Sequence, residues 1–136
     1  MIFICEKHSI RATKVILDTN SLLLPFQKNV NIEAELFEIL GNYEIIVLSS
    51  VIDELKNLAK GNWHAKTALE LAKRYKILDV EEKGDFAIIF AAKNINAVVV
   101  TNDKKLRREL RKNGICVITS RGHRLWLDGY VKSCGT

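Results

Sequence analysis

KVILDTNSLL, residues 14–23, sets an unbroken apolar run, Val15-Ile-Leu17, directly before the polar turn Asp18-Thr19-Asn20. A run without polar alternation suits a strand covered on both faces, because neither face meets water. The Asp, Asn and Ser that follow are helix N-cap types, so the stretch reads as a strand, a sharp junction and a helix over about 21–26. The same grammar recurs along the chain. Further strands are expected at 44–48, 97–101 and 115–118, with a short extra edge strand around 77–80. Helical spacing predicts helices at about 32–40, 51–59, 63–75, 86–92 and 104–112. Strands alternating with helices argue for βαβ units around a central parallel sheet, an α/β fold.

Two of these helices carry unusual faces. Phe86-Ala-Ile-Ile-Phe-Ala-Ala92 is apolar on every side and is expected to be buried against the sheet. In 104–112, Leu106 and Leu110 form an inward stripe, which leaves Lys104, Lys105, Arg107, Arg108, Arg111 and Lys112 on the wetter faces. Such a run is either a solvated face or a surface for a polyanion, and the formal net charge of +5 is compatible with both.

With 136 residues, 48% of them hydrophobic, the chain is expected to form one compact domain, a core at about 14–120 with short N- and C-terminal extensions. Its longest apolar runs fall far short of a bilayer span, so no membrane association is expected. The segment MIFIC at 1–5 lacks the length and preceding basic stretch of a signal peptide, and a cytoplasmic location is expected. Cys5, Cys116 and Cys134 are scattered and suggest neither a disulfide framework nor zinc, and His8, His64 and His123 form no HxxxH pair. Trp63 and Trp126 are expected to pack, with base stacking as the alternative.

In an open α/β sheet the ligand site lies beyond the carboxyl ends of the strands. Asp18 and Asp103 each follow a predicted strand, Glu54 lies early in the helix after the second, and Asp85 opens the helix at 86–92. Each has an ordinary structural reading, Asp18, Asp85 and Asp103 as N-caps and Glu54 as an early-turn acid favoured by the helix dipole. Together they would repel one another, a close like-charged pair costing on the order of 4 kcal/mol at an effective dielectric near 20. A cation among them relieves that cost. Oxygen donors without His or Cys favour Mg²⁺ or Mn²⁺ over zinc.

KVILDTNSLL at 14–23, SSVIDEL at 49–55, GDFAIIFAA at 84–92 and VVVTNDKKLRREL at 98–110 resemble, in order, the four acidic motifs of PIN-domain nucleases. The resemblance spans about residues 14–120 and implies a three-layer α/β/α fold around a Rossmann-like parallel sheet. It assigns Asp18, Glu54, Asp85 and Asp103 as metal-binding catalytic acids, and Asn20 and Thr101 as polar residues that support the site. Gly84 stands where Ala is common, a change expected to be harmless, and Phe86 stands where a second acid often follows, which removes a possible outer carboxylate. The segment 120–128 is similar to the tail of archaeal PIN proteins related to ribosomal-RNA-processing nucleases.

The implied activity is divalent-metal-dependent endoribonuclease hydrolysis of single-stranded RNA, in RNA processing or as a toxin of the VapC type. Expected partners are RNA, an antitoxin protein if the role is that of a toxin, and a second copy in a homodimer. Attack by water leaves a 5′-phosphate on the product. Since bare carboxylates repel phosphate, affinity is expected from Lys104, Lys105, Arg107, Arg108 and Arg111, aided by Arg121, His123, Arg124 and Trp126. The alternative is a catalytically weak PIN-like module that binds RNA or protein.

Overall fold

A computed structural model of the chain describes residues 12–128. A six-stranded sheet runs through it in the order β3-β2-β1-β4-β5-β6, built from β1 (Thr13–Leu17), β2 (Tyr43–Leu48), β3 (Lys76–Leu78), β4 (Val98–Val100), β5 (Val117–Arg121) and β6 (Arg124–Asp128). Six helices complete a three-layer α/β/α arrangement: α1 (Thr19–Gln27), α2 (Ile32–Leu40), α3 (Ser49–Leu58), α4 (Trp63–Ala72), α5 (Gly84–Ile95) and α6 (Lys104–Lys112). The first five strands are parallel, as the near-continuous apolar runs require, and Val15, Ile16, Leu17, Val47, Leu48, Val99, Val117 and Ile118 are fully buried. Burying each such side chain contributes roughly 1.5–3 kcal/mol.

Strand order steps outward from β1 through β2 to β3 on one side and from β4 to β5 on the other, so the switch point lies between β1 and β4. Leu17 pairs with Val100, which brings Asp18 and Thr101 out of the sheet side by side at its carboxyl edge. A crevice forms at such a junction because the connections on its two sides lead away from each other.

The structure departs from the sequence expectations in several places. The sheet is mixed, because the segment 120–128 holds the end of β5, a turn and β6, which is antiparallel to β5. Arg121 pairs with Arg124 across the two-residue turn Gly122-His123, with Gly122 at φ 59 as a tight hairpin demands of its first central position. The fourth expected strand lies two residues later, Ile115 and Cys116 being buried lead-in and the strand itself running to Arg121. Helix α5 is half-buried: Ala87, Ile88, Ala91 and Ala92 face the sheet while Phe86 and Phe90 stand in solvent. Trp63, stacked on His64, and Trp126 are likewise exposed instead of packed. Among the described residues, no helix is long and apolar enough to cross a membrane.

Candidate active site

Asp18 lies at the floor of the crevice, 8% exposed, where β1 gives way to α1. Its extended backbone turns the chain, and its Oδ1 accepts the Ser21 N–H at 2.8 Å, capping α1. The Ser21 hydroxyl donates to the Val100 carbonyl at 2.8 Å, which fastens the start of α1 to the end of β4. Burial pushes the Asp18 carboxyl above its usual range; hydrogen bonding from Ser21 and then Thr101 pulls the other way, and the charge of Asp103 adds to the rise.

Asp103 begins α6 in the same manner, its Oδ1 accepting the Leu106 N–H at 3.0 Å while its own N–H donates to the Thr101 hydroxyl oxygen at 3.1 Å. Thr101 is fully buried between the two acids. Capping and site-building are therefore joint roles here: each cap spends Oδ1 and orients the carboxylate for a second partner.

Glu54 is exposed in the second turn of α3, since that helix starts at Ser49, earlier than its sequence suggested. It accepts the Thr19 hydroxyl at 2.7 Å, and because Thr19 adjoins Asp18 the two acids are held near each other. Asp85 is exposed in the first turn of α5. Its carboxyl is raised by desolvation first, then by Asp103 and Glu54, with Lys105 opposing. Asp103 acts on Asp18, Asp103 and Glu54 both act on Asp85, and Thr19, beside Asp18, bonds Glu54, so the four acids form a loose ring of interacting charges at this edge.

Gly84, before Asp85, has φ 64, with nothing within 4 Å of where a Cβ would stand. Alanine would fit sterically but would adopt the left-handed region at a cost of roughly 1–2 kcal/mol. Glycine adopts this conformation without strain, so its place where Ala is common costs the start of α5 nothing.

Of the two supporting residues expected from sequence, Thr101 stands between Asp18 and Asp103, whereas Asn20 is exposed. Thr19 and Ser21, its neighbours, carry the support that sequence reasoning missed. The available signal was turn geometry: after an N-cap aspartate, the third residue supplies the capped N–H.

The expected nucleic-acid contacts divide. Arg107 and Arg111 face Asp128 of β6 at 3.9 and 3.7 Å, and Arg124 is held by Glu35 and Glu38 of α2 at 2.9 and 2.7 Å. Lys104, Lys105, Arg108 and Arg121 are exposed, Lys105 acting on Asp85. His123 contacts the Lys28 carbonyl through Nδ1 at 2.9 Å.

Among the described residues, no three His, Cys, Asp or Glu side chains form a ready-made metal-binding group. The donors present are carboxylates disposed around a rim, with a desolvated one at its floor. That set fits a hard divalent cation that keeps several waters, and it lacks the nitrogen and sulfur ligands of a zinc centre.

Residues 15–123 match the family described as PIN like domain. The chain is 36% identical over 118 residues to Ribonuclease VapC4 of Methanocaldococcus jannaschii, covering 79% of this chain and 90% of the relative. It is 30% identical over 107 residues to Ribonuclease VapC9 of Archaeoglobus fulgidus, covering 75% and 78%. Among solved structures, the PIN domain endonuclease Utp24 superposes with a TM-score of 0.74 at 27% identity, covering 87% of this chain and 92% of that one. A domain of a functionally unknown Methanocaldococcus jannaschii protein shares the fold at a TM-score of 0.61 and 17% identity, covering 88% and 99%.

Proposed function

The chain belongs to the PIN domain family, and from that premise we propose that it is a divalent-metal-dependent endoribonuclease acting on single-stranded RNA. The carrying observation is the gathering of Asp18, Glu54, Asp85 and Asp103 at the carboxyl edge, where desolvation first and then neighbouring carboxylates raise the proton affinity of Asp18 and Asp85. The ribonuclease relatives and the endonuclease neighbour support the same reading.

Asp18 and Asp103 would hold Mg²⁺ or Mn²⁺, with Glu54 and Asp85 binding directly or through waters. The bound ion supplies Lewis acidity toward the phosphate and a water of lowered pKa. Thr101 and Ser21 fix the inner carboxylate, so that it need not reorganise when substrate arrives. Thr19 restrains Glu54, and Lys105 at the rim offers a positive charge to an incoming phosphate. Lys104, Arg108 and Arg121 extend that positive path, while Arg107, Arg111 and Arg124 serve structural pairs.

Cleavage of a 5′-labelled unstructured RNA tests this. Activity that appears with Mg²⁺ or Mn²⁺, disappears with chelator and leaves 5′-phosphate ends is the expected result. Undiminished cleavage in chelator by protein free of contaminating nuclease refutes it. Growth arrest on expression, relieved by a co-expressed small partner, identifies the toxin role; its absence together with trimmed precursor RNA identifies processing.

A further inference from the structure

Helix α5 places two large apolar side chains in water beside the acid ring. Phe86 is 64% exposed and Phe90 42%, and their rings stack with centroids 5.9 Å apart and planes 21° from parallel. Their i,i+4 spacing explains why they meet, but mutual stacking contributes little to a helix and leaves the outer ring faces wet. Phe86 directly follows Asp85, so the aromatic stripe starts at the rim.

The neighbouring helix supplies the complementary charge. Near their amino ends Lys105 of α6 acts electrostatically on Asp85 of α5, and toward their carboxyl ends Lys93 Nζ donates to Asn113 Oδ1 at 3.3 Å, so the two helices are neighbours. Successive helical residues turn by about 100°. Lys105 therefore falls across the buried Leu106–Leu110 stripe from Arg107 and Arg111, which face Asp128, and so does Lys112, which pairs with Glu109 at 3.4 Å.

We propose that Phe86 and Phe90 form a stacking platform for an unpaired base of the RNA, seated beside the phosphate that the acid ring addresses. The inference deepens the ribonuclease reading and rests on it. An exposed aromatic face next to cations suits a single strand, whose bases stack while its phosphates pair with lysine and arginine. A second copy of the chain is the poorer occupant. Two aromatic side chains cover about 150–250 Å² each, against about 800 Å² per partner in a stable interface.

The test is fluorescence anisotropy of a labelled oligouridylate, and of the same strand with an abasic spacer, binding to the inactive Asp103→Asn protein at several salt concentrations. Phe86→Ala should weaken binding on the order of 10-fold, Phe86→Leu likewise, and Phe86→Trp should retain it. The salt slope should stay constant, because stacking releases no counterions. The spacer strand should bind all variants alike. Equal affinity of Phe86→Ala, Phe86→Leu and the parent protein overturns the platform while leaving the nuclease reading intact. A parent that binds no RNA overturns both. A dimer in sedimentation equilibrium that Phe86→Ala converts to monomer, with RNA affinity unchanged, reassigns the stripe to self-association and also overturns the proposal.

Discussion

On the β6 flank acids meet cations; at the carboxyl edge acids meet acids. Arg124 bridges Glu35 and Glu38, the Glu35 oxygen also accepts the Leu125 N–H, and Asp128 faces Arg107 and Arg111. Glu35 is accordingly held below its ordinary range, first by the Leu125 N–H and then by Arg124. Asp18 and Asp85 are pushed the opposite way, by desolvation and then by neighbouring carboxylates. Similar residue types thus serve opposite ends: on β6 they latch a hairpin to α2 and α6, while at the crevice like charges are gathered and held by Ser21, Thr19 and Thr101, with Lys105 opposing at Asp85. Such a gathering of like charge in a crevice marks a candidate functional site.

The sharpest contrast compares the same substitution in the two regions. Asp103→Asn should lower the metal-dependent cleavage rate by on the order of 10²-fold or more, as does loss of a group placed for transition-state charge. Asp128→Asn should leave that rate within a few-fold and cost about 0.5–1 kcal/mol of stability, the scale of a partly exposed ion pair. Rates and denaturation midpoints measured on both variants break the comparison if the two exchange roles.

Leu125→Ala tests the latch by its apolar anchor. Leu125 is buried among the core residues from the last strand, and its truncation should cost about 2–4 kcal/mol in a denaturant titration. A loss below 1 kcal/mol on the order-of-magnitude scale for core leucines would mean that β6 is held by its charges and hairpin instead.

The smallest effect concerns pH. A carboxyl whose proton affinity rises on folding favours the folded state below the ordinary carboxylate range, and opposes it as pH climbs through that range and past the raised value. Asp18→Asn should therefore raise the melting temperature of metal-free protein at neutral pH, with a gain that fades as pH falls below the ordinary carboxylate range. Thermal melts across acidic to neutral pH in chelator check the sign, and a destabilised Asn variant at neutral pH breaks the contrast with Glu35.

The five parallel strands and the four acids were legible because local rules coincide there. Apolar β-branched runs mark covered strands, and an aspartate after such a run marks a junction whose geometry allows little else. β6 was hidden because Arg124-Leu-Trp-Leu-Asp128 carries charged ends and one exposed Trp, and only Gly122-His123 advertised the turn. Helix α5 misled for the opposite reason: Phe86 and Phe90 add apolar character on the face that meets no core.

By itself the sequence determined which residue types follow each strand, hence the acids, their order and the basic content of α6. Tertiary structure alone decided which charges remain available, because pairing depends on elements far apart in the chain. Arg124 finds Glu35 across 89 positions and Thr19 finds Glu54 across 35, distances over which no periodicity or motif carries information. Burial, too, is a property of the assembled layers: it raises Asp18 and leaves Asp103, a residue of identical chemistry and the same capping role, at the exposed rim.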